Sequence, residues 1–164
     1  MLGLYALSQL NDKVNYLELM CILYLAERKH LIEFGVPMIP YQFVTLGYFP
    51  IIEGIQDMFF WGSGDANVDN VGNPSLGYVR KTLNLDWLSK SSVECIDEVI
   101  KECKGDSDET LAKKCWIKAG PETFEKNGML AVIPKALIAE EGGASPDLVE
   151  YIKEQILINQ ALDI

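Results

Sequence analysis

The sequence predicts a mainly α fold, a compact single helical domain of six or seven helices with a small β-hairpin insertion. Three observations carry that prediction. Apolar residues recur at helical spacing through most of the 164 residues. Glycines and the Ser145-Pro146 step fall between those runs, where helices stop and start. One stretch, residues 61–82, breaks the period with crowded glycines and asparagines between short β-prone runs.

Taken in order, Leu2, Tyr5, Ala6, Leu7 and Leu10 outline a short first helix, which Asn11-Asp12 interrupts. A second helix is expected from about Asn15 to Phe34. Leu17, Met20, Cys21, Tyr24, Leu25 and Leu31 make one face, and Leu19, Ile22 and Leu23 widen it until the helix must be central. Gly35 is placed to end it in a left-handed conformation, and Pro37 blocks a restart. Met38 to Leu46 alternates weakly and reads as extended. Pro50 suits a first helical position, so a third helix is expected over Ile51 to Phe60.

The 61–82 insertion reads as a hairpin turning near Gly72-Asn73-Pro74, with Val68 and Val71 on one side and Tyr78 and Val79 on the other. Val93, Ile96, Val99, Ile100 and Cys103 then mark a helix opened by Ser91 with Glu94, or by Ser89, and stopped at Gly105. A shorter helix follows to Trp116, with Leu111, Cys115 and Trp116 inward. Another is expected from Pro134, and the last runs from Pro146, capped by Ser145, to Ala161.

The formal net charge is -10, with -3 in residues 1–82 and -7 in residues 83–164. Such a surface repels phosphate backbones and anionic membranes, and it steers basic proteins toward it. Direct nucleic-acid binding and membrane association are therefore not expected. No run reaches the roughly 18–20 apolar residues of a membrane span, and Met1–Leu10, though apolar, lacks the basic n-region and small-residue cleavage site of a secretory signal. The four cysteines form no close pair, so no metal site is expected; they read as core thiols in a reducing cytoplasm. No cofactor motif is visible.

Catalytic signatures are sparse. There is no phosphate-binding GxxxxGK[ST] loop and no GxSxG elbow. His30 is the only histidine; it follows Arg28 and Lys29 near a helix end and reads as solvated or partly packed there. Glu94, Asp97, Glu98 and Glu102 share spacings of three and four, which reads as the wet face of an amphipathic helix rather than an opposed pair of catalytic acids.

The informative polar residues are Glu27 and Arg28. They close a long apolar run, so one of them is expected to be partly buried near the Gly35 turn. There a buried charge would need a partner such as the backbone of Met38–Gly47. Among the aromatics, Tyr48, Phe49, Phe60 and Trp61 are the candidates for a partner-binding patch.

Leu23-Tyr24-Leu25-Ala26-Glu27-Arg28, then Gly35, Pro37 and Ile39, then Gly47-Tyr48-Phe49-Pro50-Ile51 stand in one order along the chain. As a set they resemble the Panacea-domain family, the GepA/SocA-like antitoxins of bacterial and phage toxin–antitoxin systems. The proline of the family's glycine-proline-valine-proline step is kept at Pro50 and its first half is altered. The resemblance is strongest over residues 15–116 and weaker to Ile156. It implies neutralisation of a protein toxin by direct binding in the cytoplasm of a bacterial host, with no reaction catalysed, and many such relatives are phage- or prophage-encoded. Two alternatives stand beside it. One is a proteolytic adaptor that delivers a bound protein to a protease. The other is an enzyme for an unrecognised small molecule, which would need a concave pocket lined by Glu27, Arg28 and aromatics.

Overall fold

The computed structural model describes residues 1–10, 14–46, 49–54, 66–69, 75–79, 85–115 and 131–162. Among them are six α-helices: α1 Leu2–Gln9, α2 Tyr16–Phe34, α3 Lys90–Cys103, α4 Asp108–Lys114, α5 Lys135–Glu141 and α6 Pro146–Ala161. The strands are β1 Val14–Asn15, β2 Phe43–Leu46, β3 Phe49–Ile52, β4 Ala66–Asp69, β5 Ser75–Val79 and β6 Val132–Ile133, and a 3-10 turn spans Leu85–Trp87. The fold is mainly α with small antiparallel sheets, as the period of the sequence predicts.

Helix α2 is the axis. Leu19, Met20, Cys21, Ile22, Leu23 and Tyr24 are all buried, so six consecutive positions point into protein around the whole circumference. Only a helix enclosed by other elements can do that. It packs against α1, α3, α4, α5 and β3. Gly35 ends it with φ +70, where a side chain is disfavoured; a Cβ there would also lie 2.9 Å from the Tyr151 ring of α6.

Three serines start helices as N-caps. Ser89, Ser107 and Ser145 accept from the backbone N–H of Ser92, Thr110 and Leu148. Ser89 rather than Ser91 caps α3. Ser91 is drawn elsewhere by His30, as described below.

Two three-stranded antiparallel sheets flank the helices, in orders β1-β5-β4 and β3-β2-β6. The first contains the anticipated hairpin strands on either side of residues 70–74, and β5 pairs back with β1 just before α2. The second corrects one expectation. Pro50 does not open a helix at Ile51; Phe49–Ile52 is an edge strand paired with β2. Thr45, opposite Pro50, donates its N–H the other way, to the Ala131 carbonyl at 2.9 Å. No N–H is therefore required of Pro50, which an edge position tolerates. Burial of Pro50, Ile51 and Ile52 against the helices holds the strand in place.

Candidate functional site

The acid–arginine end of α2 is where the sequence placed its interest, and the structure sends the two residues to opposite sides. Glu27 is 0% exposed. One carboxylate oxygen accepts from the backbone N–H groups of Met38 (3.1 Å) and Ile39 (2.9 Å). The other accepts from Lys135 Nζ at 2.7 Å, across a sequence separation of 108 residues. The backbone partner was legible in the sequence. Lys135 was not, because nothing at the start of a late helix marks its one lysine as the counter-ion of a residue so far away.

The ammonium is fully engaged as well. Lys135 Nζ also donates to the Ile39 carbonyl at 3.0 Å and sits 4.8 Å from the centre of the Phe43 ring. Burial holds its pKa below the ordinary lysine value, with the Glu27 charge pulling the other way. The arrangement ties three pieces together: α2, the Gly35–Pro40 bend and the first turn of α5. A second tie lies one turn further on. His30 is buried, not solvated. Its Nδ1 lies 2.8 Å from the Val36 carbonyl and therefore donates, and its Nε2 lies 3.1 Å from Ser91 Oγ. The same bend is thus pinned from two sides, to α5 by Glu27 and to α3 by His30.

Arg28 turns the other way. Its Nη1 donates to the Lys114 carbonyl at 3.0 Å, and its guanidinium carbon lies 4.9 Å above the Tyr24 ring. Its stem packs on Gly142, where a Cβ would come within 2.7 Å of Arg28 Cγ. It lines a shallow cleft of about 370 Å3 with Lys29, Glu33, Glu102 and Lys114. Lys29 pairs there with Glu33 and Glu98, which hold its pKa above the usual lysine range. Asp97 accepts from the Tyr5 hydroxyl at 2.7 Å, so the acidic face of α3 is a set of surface contacts and not an opposed acid pair.

Phe49, in β3, is half-buried against the core. Tyr48, Phe60 and Trp61 lie outside the described residues. Two aromatics that the sequence reading did not place in its binding patch stand out instead: Trp87 is 81% exposed and Tyr41 58% exposed. They border an apolar cavity of about 530 Å3. The local signal for Trp87 is slight. It ends a short alternation of Leu83, Leu85 and Trp87 with Asn84 and Asp86, too brief to tell an exposed aromatic from a packed one.

The thiols are buried and raised. Burial pushes Cys95 up to about 11 and lifts Cys103, while Cys115, against Cys21, lies well above the ordinary thiol range. None of these three is poised as a thiolate nucleophile. Tyr24 is raised to about 12, first by burial and further by the Glu141 charge, with Arg28 opposing. Among the described residues its hydroxyl has no hydrogen-bond partner. Tyr24→Phe is therefore expected to fall within about 0.5 kcal/mol of wild type near neutral pH. The difference appears in alkali. With a folded pKa above the unfolded value of 10, wild type binds the extra proton in the folded state and loses stability as pH rises from 10 toward 12. The phenylalanine variant lacks that loss, of about 2–3 kcal/mol at completion. Urea titrations from about pH 8 to pH 11.5 measure it.

This is a helical scaffold in which the Glu27–Lys135 ion pair, deeply buried, braces a bend. Residues 19–118, more than half of the chain, match the family described as antitoxin SocA-like, Panacea domain, and the chain belongs to that family. No curated protein and no solved structure matches significantly. The matched span runs from the first turn of α2 to just beyond α4, and includes Glu27, Arg28 and the braced bend but not Lys135. Among the described residues, no helix is long and apolar enough to cross a membrane.

Proposed function

We propose that this chain neutralises a protein toxin by binding it directly, catalysing no reaction itself. The observation that carries this reading is membership of the SocA-like antitoxin family over residues 19–118. Two features support it. Glu27, the acid of the acid–arginine corner, is committed to structure: it uses both oxygens on the bend and Lys135, so its carboxylate is not free for acid–base work. The net charge of -10 favours encounter with a basic protein and disfavours nucleic acid. Four free cysteines suit action in a reducing bacterial cytoplasm.

The test is co-expression with the product of the adjacent reading frame. That product is expected to arrest growth alone, to be tolerated with this chain, and to co-purify with it. A neighbour that is harmless alone and does not bind would overturn the reading. Toxin half-life separates neutralisation from delivery to a protease: direct binding leaves it unchanged or longer, and an adaptor shortens it.

A further inference from the structure

We propose that the groove between α1, the Met38–Tyr41 bend and the Leu85–Leu88 turn receives an apolar segment of the partner protein, with a basic partner side chain set against Glu53. The inference rests on the direct-binding reading and gives it a surface. The cavity, about 530 Å3, holds two or three side chains; Leu4, Leu23, Ile39 and Ile52 are among its lining residues, and Tyr41 and Trp87 border it. Exposed aromatics scattered singly mean little. Two bordering one apolar concavity have the composition of an interface anchor.

The chemistry of the lining chooses the occupant. Glu53 is the one side chain charged at neutral pH among the described lining residues. A polar metabolite or nucleotide needs several convergent polar groups, and one exposed carboxylate does not supply them. An apolar protein segment needs no more than this groove offers. That one charged side chain is acidic and the chain as a whole is at -10, so the complementary partner is basic around its apolar anchor. A second copy of this chain would bring like charge to the same rim, which disfavours self-association there.

The brace described above also acts here. Glu27 holds the N–H groups of Met38 and Ile39, and both residues line the groove. Leu23, one helical turn before Glu27, lines it too. The lining is therefore set before a partner arrives, which cuts the ordering cost of binding.

The experiment measures equilibrium binding of the full chain to the product of the adjacent reading frame. The variants are Trp87→Ser and Glu53→Lys, with Leu157→Ser, 64% exposed on α6, as the control. Circular dichroism and burial of the four cysteines check each fold. Trp87→Ser is expected to weaken binding roughly thirtyfold or more. Glu53→Lys is expected to slow association and flatten its salt dependence, and Leu157→Ser to bind within about twofold of wild type, as an exposed residue away from the contact does. If wild type binds and both groove variants bind within about twofold of it, the groove assignment is overturned. It is overturned equally if Trp87→Ser merely converts a dimer of this chain to a monomer with partner binding intact. Failure of the wild-type chain to bind at all overturns the direct-binding reading beneath it.

Discussion

Glu27→Ala is expected to lower the stability of the fold by about 3–5 kcal/mol, the range for removing one member of a buried ion pair. The variant strands three groups at once: the N–H groups of Met38 and Ile39, and the Lys135 ammonium. Glu27→Gln retains an acceptor but loses the charge opposite Lys135, so its loss should be intermediate. Lys135→Met leaves the Glu27 carboxylate uncompensated, although its two backbone donors remain. The double variant Glu27→Ala/Lys135→Met is expected to be clearly less damaging than the sum of the single losses. Additive losses would show that the pair is not coupled.

The Glu27→Ala deficit should also depend on pH. Burial already holds Lys135 below its ordinary pKa with Glu27 present, and removing the carboxylate lowers it further. Between the folded value and the unfolded value of 10.5, the unfolded chain binds more protons, so stability rises with pH. The variant should therefore recover part of its loss as the solution is made alkaline toward about pH 9.5, a window set by that linkage. A deficit that stays flat or grows over that range would contradict a stranded ammonium as its main cause.

Phe43→Ala is expected to cost about 3–5 kcal/mol, the range for emptying a fully buried aromatic site. Phe43 is 0% exposed, meets Tyr24 edge-on at a centroid distance of 5.3 Å, and presents its face to Lys135 Nζ at 4.8 Å. It thus packs β2 against α2 and lies directly beneath the ion pair. Phe43→Leu separates the two contributions. It keeps most of the apolar burial and loses the ring face and the edge contact, each worth about 0.5–1.5 kcal/mol. Urea unfolding midpoints with an unchanged slope measure both. A loss from Phe43→Leu as large as that from Phe43→Ala would mean shape fit outweighs both terms.

These two residues also mark where sequence reasoning works and where it stops. Phe43 was legible as part of an extended apolar piece, but its partners were not. The period of α2 announced a helix buried on all sides, and Gly35 announced its end, because both are consequences of local backbone geometry. Ser145-Pro146 announced α6 for the same reason. Pro50 misled because its fixed φ suits a helix start and an edge strand alike. Only the use of the Thr45 N–H by Ala131, on the far side of β2, decides between them. His30, expected to be solvated or partly packed, proved to be packed. Its charged neighbours Arg28 and Lys29 suggested water, whereas the facing Ser91 and the Val36 carbonyl make a buried site for it.

The candidate site divides along the same line. That a buried charge at Glu27 would seek the backbone after Gly35 followed from the apolar run before it, since the bend returns within reach of the helix that made it. That Lys135 completes the pair, that Arg28 faces away, and that Tyr41 and Trp87 come to border one groove did not. By itself the sequence determined the positions of the six α-helices, the Ser145 cap and the central burial of α2, because each depends on neighbours a few residues apart. The tertiary structure alone decided which distant groups meet. A counter-ion or a groove wall is defined by distance in space, and a chain folded around one central helix brings together residues whose separation in sequence carries no trace of that distance.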